Sequence, residues 1–278
     1  MEKKVTLLVA AVLLAAVGTA QAQEGDLHGA IDLTFQSQYV WRGFDVYENA
    51  SALQPSVDLD LYQTGFGFRV EGHMTNGAGS IGGLGQWEEL ERWDYTLYYA
   101  NSVLEDMPYT TNYNVGWVYY NYPDNSSGDY DLQELHAILS WPKLLGIEGL
   151  VPSYCLVKLW PSESGSLVGS RAAGTGTASG WAHIFLLDYP MTVTGLLPEM
   201  PEQVLNWHAE LVYNDGVHPL GGNADHDWSN AVIGVSTDFD LGSGVTFTPG
   251  VYYQISMDES VNPDDDEVWA TVGLKYAF

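Results

Sequence analysis

The sequence predicts an all-β protein: a closed, antiparallel transmembrane β-barrel of about 12 strands in meander order. Three observations predict this fold class. Apolar and polar residues alternate along one segment after another, as in strands whose two faces meet different surroundings. The chain has 10 tryptophans and 18 tyrosines, and girdles of these residues mark both interfaces of membrane barrels. The final strand, residues 266–278, alternates along its length and ends on Phe278.

The N-terminus has the features of a cleaved secretory signal. Lys3 and Lys4 precede an apolar run that ends in an Ala-x-Ala site at Ala22. We therefore expect residues 1–22 to be removed near Ala22 and residues 23–278 to form one outer-membrane barrel domain. The apolar run is shorter than the ~20 residues that a spanning helix needs.

The composition narrows the classes of function. The formal net charge is -27, which disfavours nucleic acid as a partner and is compatible with divalent cations. Only 16% of the residues are charged and 46% are hydrophobic, which suits a barrel with an apolar belt and acidic loops. The single cysteine, Cys155, cannot form an intramolecular disulfide, and we interpret it as a small apolar strand residue in preference to a reactive thiol.

Clear alternation predicts the first six strands. They span residues 30–42, 52–62, 66–75, 90–100, 109–121 and 131–141. In the first strand, Ile31 and Phe35 share one face while Asp32 and Gln36 share the other. Pro55 stands near the start of the second strand, where a missing ladder donor is tolerated. In the third to sixth strands, aromatic and aliphatic residues alternate with charged residues, Asn and His.

The sequence also predicts the last six strands, although the alternation is less clear in the middle of the chain. They span residues 151–160, 181–189, 203–213, 228–239, 245–256 and 266–278. The seventh is weak, and the eighth is apolar on both faces, so its sides stay unassigned. An even strand count places both termini on one side of the membrane, with long outer loops after odd strands and shorter periplasmic turns after even ones. The connection 190–202 is longer than this rule predicts.

A soluble β-sandwich is the alternative, because its strands also have one apolar face. The aromatic content, the N-terminal signal, the even strand count and the terminal Phe278 favour the membrane. In lipid, each unpaired backbone group costs several kcal/mol, so an open sheet edge is excluded there. We therefore expect the first strand to pair with the last.

Residues 37–66 carry a family resemblance. The run Ser37-Gln38-Tyr39-Val40-Trp41-Arg42-Gly43-Phe44, the following run from Ala52 to Asp60, and Thr64-Gly65-Phe66 resemble the opening hairpin of the TorF-like (gcw_chp) outer-membrane proteins. One departure is that Phe66 is followed by Gly67, where the family has Tyr. The resemblance implies an outer-membrane barrel, with a pore among its expected functions, and supplies neither a substrate nor catalytic residues.

Charged residues of the second to fourth strands are expected to meet in the lumen. The candidates for a lumen constriction are Asp58, Asp60, Arg69, Glu71, Arg92, Asp94 and Arg42. We expect Asp60, Arg69 and Asp94 at similar height, and Glu71 beside Arg92. They form either a charged constriction that selects solutes or, as we favour, a salt-bridge network that fills a narrow barrel. Twelve strands lie between the filled eight-stranded and the open sixteen-stranded barrels.

Arg42 is expected at the outer rim, at the end of the first strand, where a loop carboxylate is favoured over a lipid phosphate as its partner. Three histidines each lie two residues from a glutamate, which places each pair on one strand face. These pairs are His73 with Glu71, His136 with Glu134, and His208 with Glu210. They come from three separated strands, so hydrogen bonding in the lumen is favoured over metal ligation.

The acidic run Asp264-Asp265-Asp266-Glu267 makes Ca²⁺ a candidate partner at the outer loops, although a solvated acidic loop is favoured because the EF-hand spacing is absent. No cofactor, metal site or catalytic residue is predicted, and no hydrolase, zinc-protease or P-loop motif occurs, so we do not expect an enzyme.

The leading hypothesis is an outer-membrane pore for small solutes, cations among them. The alternative is a non-conducting barrel whose acidic outer loops bind a surface partner or divalent cations. An outer-membrane hydrolase of lipid or glycan is less favoured. The expected partners are outer-membrane lipid and small solutes.

Overall fold

The computed structural model describes residues 27–77, 80–81, 85–86, 91–162, 179–195, 201–218, 224–262 and 266–278. Twelve antiparallel strands follow one another round a closed barrel, which confirms the predicted fold class. The strands are β1 (Leu27–Gln36), β2 (Ala52–Leu61), β3 (Phe66–Thr75), β4 (Arg92–Val103), β5 (Thr111–Asn121), β6 (Leu132–Ser140), β7 (Val151–Pro161), β8 (Gly180–Thr194), β9 (Glu202–Asp215), β10 (His226–Thr237, continued by Phe239–Gly242), β11 (Val245–Ser256) and β12 (Glu267–Ala277).

Small elements occur in the connections. Val40–Trp41 pairs with Phe44–Asp45, and Ser80–Ile81 pairs with Gly85–Gln86. One short helix, α1 (Ser127–Tyr130), lies between β5 and β6. Within the ranges described above, no helix is long and apolar enough to cross a membrane. The predicted signal, residues 1–22, lies outside the described residues.

The barrel closes between β1 and β12. Their register pairs Leu33 with Leu274 and Phe35 with Val272, while the other edge of β1 pairs with β2. At the end of this seam, Gly29 and Phe278 exchange two backbone hydrogen bonds, each 3.0 Å long. Because the first and last strands pair, the barrel has no open edge to leave backbone groups unpaired in lipid.

The apolar faces of the strands point outward. Phe35, Tyr95 and Val272 are 39%, 37% and 40% exposed, although each is a large apolar side chain. Polar side chains from the opposite faces are buried inside, with Gln54 at 6% and Arg92 at 3% exposed. An outer surface of this kind is stable against hydrocarbon and would be an aggregation hazard in water.

The connections define two ends of the barrel. Those after even-numbered strands form the turn end, where Leu27 and Phe278 also lie, and those after odd-numbered strands form the loop end. Strand β8 continues through Pro190 to Thr194, so the connection predicted at 190–202 is shorter than the sequence pattern indicated. Strand β1 ends at Gln36, before the predicted boundary, because the chain turns into the barrel there.

The structure assigns the sides of β7 and β8. Cys155 and Val157 of β7 and Ile184 of β8 face the interior and are buried, whereas Trp181 and Phe185 of β8 are exposed on the outside. The inner residues belong to an apolar cluster that also includes Val118, Tyr120, Leu132, Leu159, Ala182 and Val212. Both faces of β8 are apolar because one meets lipid and the other packs in this cluster.

The outward orientation of β12 makes a testable prediction. Replacing Val272 by Arg places a charge near the middle of the lipid face and should lower the free energy of unfolding by about 2–4 kcal/mol. Urea unfolding in lipid vesicles, followed by tryptophan fluorescence, measures this change. The neighbouring substitution Thr271→Arg points into the lumen and should cost clearly less. Equal losses for the two variants would contradict the assigned faces.

Candidate functional site

The connection between β1 and β2, residues 37–51, folds into the loop end of the barrel, and we call it the plug loop. Its two-residue hairpin has Arg42 and Gly43 at the tip, with φ angles of 51° and 93°. Positive φ at both central residues is what a tight hairpin of this type requires. Tyr39 and Tyr47 are 3% and 0% exposed. The first run of the family resemblance, residues 37–44, therefore lies in this inserted loop, while the run from Ala52 to Asp60 belongs to β2.

Gly43 is needed for close approach as well as for its backbone conformation. A Cβ atom at this position would lie 2.7 Å from Asn230 Oδ1 and 2.8 Å from a methyl carbon of Val261. Both distances are too short for a real contact, so only glycine fits between the plug loop and the loop end of the wall.

Arg42 reaches the wall of the barrel and binds Glu134 on β6. Its NH2 donates a hydrogen bond to Glu134 Oε1 at 2.9 Å, and its NH1 lies 2.7 Å from Oε2, so both carboxylate oxygens contact the guanidinium. Tyr120 donates its hydroxyl to Glu134 Oε2 at 2.6 Å. The prediction that Arg42 ends the first strand at the rim and binds a loop carboxylate is wrong. Arg42 belongs to the plug loop, and the carboxylate that it binds belongs to the wall.

Further hydrogen bonds attach the plug loop to β11 and β12. Gln254 on β11 donates its Nε2 to the Gly43 carbonyl at 2.9 Å. Gln38 donates to Glu267 Oε2 on β12 at 2.5 Å and to Asp45 Oδ2 at 3.1 Å. The loop is thus bonded to opposite parts of the barrel wall, which fixes it across the mouth.

The same loop is attached to β3 and β4. Tyr47 donates its hydroxyl to the backbone carbonyl of His73 at 3.0 Å, and Arg92 donates to the Tyr39 hydroxyl at 3.1 Å. The Arg92 guanidinium also lies 4.9 Å from the centre of the Trp41 ring. Each contact joins a polar or cationic wall group to an aromatic side chain of the loop.

Two of the predicted lumen residues, Arg92 and Asp94, form a buried cluster with His73. Arg92 Nε lies 2.7 Å from Asp94 Oδ1, and His73 Nε2 lies 2.9 Å from Asp94 Oδ2. Arg92 and Asp94 are 3% and 7% exposed, so this group supports the wall and the plug loop, as a salt-bridge network would.

A second group, Asp58, Arg69 and Glu71, is open to the lumen. Arg69 NH2 lies 3.0 Å from Glu71 Oε1, and NH1 lies 3.9 Å from Asp58 Oδ2. Tyr98 donates its hydroxyl to Asp58 Oδ1 at 2.8 Å. The side chains of Arg69 and Asp58 are 40% and 35% exposed, so these charges remain available to solutes.

The heights expected for these charges were wrong. Asp58, and not Asp60, stands opposite Arg69, and Asp94 stands opposite Glu71. Arg92 stands opposite His73, so it is not the direct neighbour of Glu71. A shift of two residues keeps every side chain on the same face, so alternation does not reveal it. The long connection between β3 and β4 leaves the register of these strands open. Between β2 and β3 the turn begins at Tyr62, which the sequence pattern assigns to the second strand.

Asp60 lies apart from both groups, at the turn end, where it accepts a hydrogen bond from the Gln63 backbone N–H at 3.0 Å.

The three histidines singled out in the sequence each bind one carboxylate: His73 binds Asp94, His136 binds Glu134 and His208 binds Asp188. In the described part of the chain, no group of three His, Cys, Asp or Glu side chains could hold a metal ion.

The acidic run of the last loop is partly outside the described residues, at Asp264 and Asp265. Of the remainder, Asp266 accepts a hydrogen bond from the Ser256 backbone N–H at 3.0 Å. Glu267 accepts one from Asn262 at 2.9 Å. These two carboxylates therefore serve the local structure of the loop end.

A cavity of about 570 Å³ lies between the plug loop and the wall formed by β1 and β8–β12. Its lining includes Trp41 and Arg42 from the plug loop, Glu210 from β9, and the rings of Tyr252 and Trp269. These two rings stack with their centroids 5.5 Å apart and an interplanar angle of 12°. No sequence motif marks this pair, although the alternation of the last strand places Trp269 on the face opposite its apolar residues.

Comparison with solved structures supports the fold. No family model matches the chain, and no curated protein matches its sequence. The chain is similar in structure to the NanC porin, with a TM-score of 0.51 and 12% identity over 88% of this chain and 98% of that one. It is similar also to an outer membrane channel from Pseudomonas putida F1, with a TM-score of 0.53 and 13% identity over 94% of this chain and 98% of the other. The chain has the fold of outer-membrane channel barrels.

The Arg42–Glu134 pair makes a prediction about the plug loop. Arg42→Ala leaves the buried Glu134 without its cation, so amide hydrogens of residues 38–50 should exchange about tenfold faster or more. Hydrogen exchange with mass spectrometry measures this rate. Lys143→Ala, which removes a surface cation at the turn end, is the matched control and should leave the loop unchanged. Equal protection in the two variants would show that the pair does not hold the loop.

Asp45 makes the attachment of the plug loop depend on pH. Burial, together with the nearby Glu267 carboxylate, raises the pKa of Asp45 to about 6, against an ordinary value of 3.8. The docked loop therefore binds a proton more tightly than the released loop. As a result, docking is stronger at pH 5 than at pH 7, and it weakens as the pH rises through 6. Protection of residues 38–50 against hydrogen exchange, corrected for intrinsic rates, should therefore be greater at pH 5 than at pH 7. The substitution Asp45→Asn should remove this dependence on pH. A pH dependence that survives in Asp45→Asn would assign it to another group.

Proposed function

We propose that this protein is an outer-membrane channel for small solutes whose plug loop controls passage. The observation that carries the proposal is a closed barrel with a cavity of about 570 Å³, lined by polar, charged and aromatic side chains, beside a loop held by separate polar contacts. A barrel that served only as a structural anchor would be expected to fill its interior with side chains.

The charges of the lumen favour cations over anions. Arg92 and Arg42 are each engaged by a buried carboxylate, at 2.7 Å in both cases. Arg69 is shared between Glu71 and Asp58, so the group that is open to water has an excess of negative charge. A narrow path lined in this way attracts cations and repels anions.

Two finer parts of the proposal rest on the sequence. The sequence runs 37–44, 52–60 and 64–66, which carry the TorF-like resemblance, support assignment to that family. The lysines, apolar run and Ala-x-Ala site of residues 1–22 support export with cleavage near Ala22. The two similar proteins are described as a porin and a channel, which supports a function other than catalysis.

A non-conducting barrel is the second candidate, favoured by one observation. Phe44 of the plug loop packs with Ala224 and Val261 from two other connections of the loop end, and all three are buried. The mouth is therefore covered in this conformation. Conductance of the purified, refolded protein in planar bilayers separates the two candidates: discrete current steps support the channel, and silence in both wild type and Arg42→Ala supports the alternative.

Arg69 should influence ion selectivity. Arg69→Ala removes a positive charge from the open group and leaves Asp58 and Glu71 uncompensated, so the cation-to-anion permeability ratio should rise by about two- to threefold. The reversal potential in a salt gradient measures this ratio. Lys143→Ala, outside the lumen, should leave it unchanged. An unaltered current–voltage curve for Arg69→Ala would remove Arg69 from the conduction path.

A further inference from the structure

We infer that the cavity beside the plug loop is a binding site for a small organic cation that carries N–H donors, such as a guanidinium or a primary ammonium. This inference rests on the proposed channel function and names the class of solute that the channel would take. It is argued from the charge, the hydrogen-bonding groups and the aromatic rings of the cavity wall.

Glu210 supplies the charge. Its side chain lines the cavity, and within the described residues no hydrogen bond or ion pair engages its carboxylate. The basic side chains near Glu210 already bind other carboxylates: Arg42 binds Glu134 at 2.7 Å, and His208 binds Asp188 at 2.7 Å. A carboxylate in a partly buried site without a partner favours a cationic ligand.

The charge of the other acid on the lining, Asp32, is balanced by that of a lysine on the same lining. Asp32 on β1 stands directly opposite Lys275 on β12, and both line the cavity. Asp32 also accepts a hydrogen bond from the Thr34 hydroxyl at 2.7 Å. The charges of these two residues sum to zero, and the charge of Arg42, which also lines the cavity, is neutralised by Glu134. Glu210 therefore determines the sign of the ligand.

Two buried side-chain amide oxygens favour a ligand that donates hydrogen bonds. Gln254 and Gln36 line the cavity, and the Oε1 atom of each is buried without a hydrogen-bond partner. Gln254 is 0% exposed, and its orientation is determined because its Nε2 donates to the Gly43 carbonyl, which can only accept. A buried acceptor without a partner is unfavourable, so a ligand that donates hydrogen bonds relieves it.

Aromatic rings complete the site. The stacked rings of Tyr252 and Trp269 lie on one wall of the cavity. The faces of such rings attract cations, most strongly in Trp. The volume of about 570 Å³ is within the usual range for a small-molecule site. The Glu210 carboxylate, the unpaired amide oxygens and the aromatic rings together favour a guanidinium or ammonium ligand over an inorganic cation or a neutral sugar.

The experiment is isothermal titration calorimetry of the refolded barrel in detergent micelles, with L-arginine as the probe. L-citrulline has the same shape with a neutral urea group, and choline has a cation without N–H donors. Arginine should bind, and both comparison probes should bind at least about tenfold more weakly. Glu210→Gln should weaken arginine binding by at least about tenfold as well. Glu202→Gln, an exposed carboxylate at the start of the same strand, should leave it unchanged.

Several results would overturn the inference. They are an absence of arginine binding, equal affinity for arginine and citrulline or choline in the wild type, and unchanged binding in Glu210→Gln. The wild-type comparison of probes does not depend on any variant folding. Because binding is measured without a bilayer, current steps without arginine binding would reject the solute class and keep the channel. Arginine binding to a barrel that stays silent would reject the channel and keep the site.

Discussion

Every backbone N–H and C=O group in the hydrocarbon layer needs a partner within the protein, and this constraint governs the whole structure. The chain meets it by pairing β1 with β12, so that Gly29 and Phe278 close the ladder at the turn end. Once the barrel is closed, each strand has one face in lipid and one in the lumen. The lumen is then the only place where charged side chains such as Arg92 and Asp94 can be satisfied.

The interior has walls of two kinds. From β5 to β9 the inner face contains an apolar cluster, with Leu132, Val157 and Leu159 fully buried, next to the carboxylates of Glu134 and Glu210. The strands from β1 to β4 instead carry charges and amides. The plug loop joins both, because Trp41 lies against Tyr120 of the apolar side while Arg92 lies over both rings. A loop held by several such contacts, and by no covalent link or continuous strand pairing, has the kind of attachment that can open and close.

Much of the fold could be predicted from alternation, and the site could not. The bounds of β3 and β11 agree with their predicted spans because each has one lipid face and one polar face. The sides of β8 could not be assigned, since an inner face packed in an apolar cluster has the same composition as a lipid face. Arg42 was placed incorrectly on a strand, because positive φ at a non-glycine residue leaves little trace in the sequence.

The sequence by itself determined the fold class, the strand number, the outward faces and the residues available to the lumen, because these depend on a period of two that is local to each strand. Only the tertiary structure decided which charges meet: Arg69 with Asp58, and Arg42 with Glu134. It also left Glu210 without a hydrogen bond or ion pair in the described part of the chain. Partners of this kind depend on strand register and on the path of a loop across the lumen. A shift of two residues leaves the alternation unchanged while it replaces every neighbour across the strand pair.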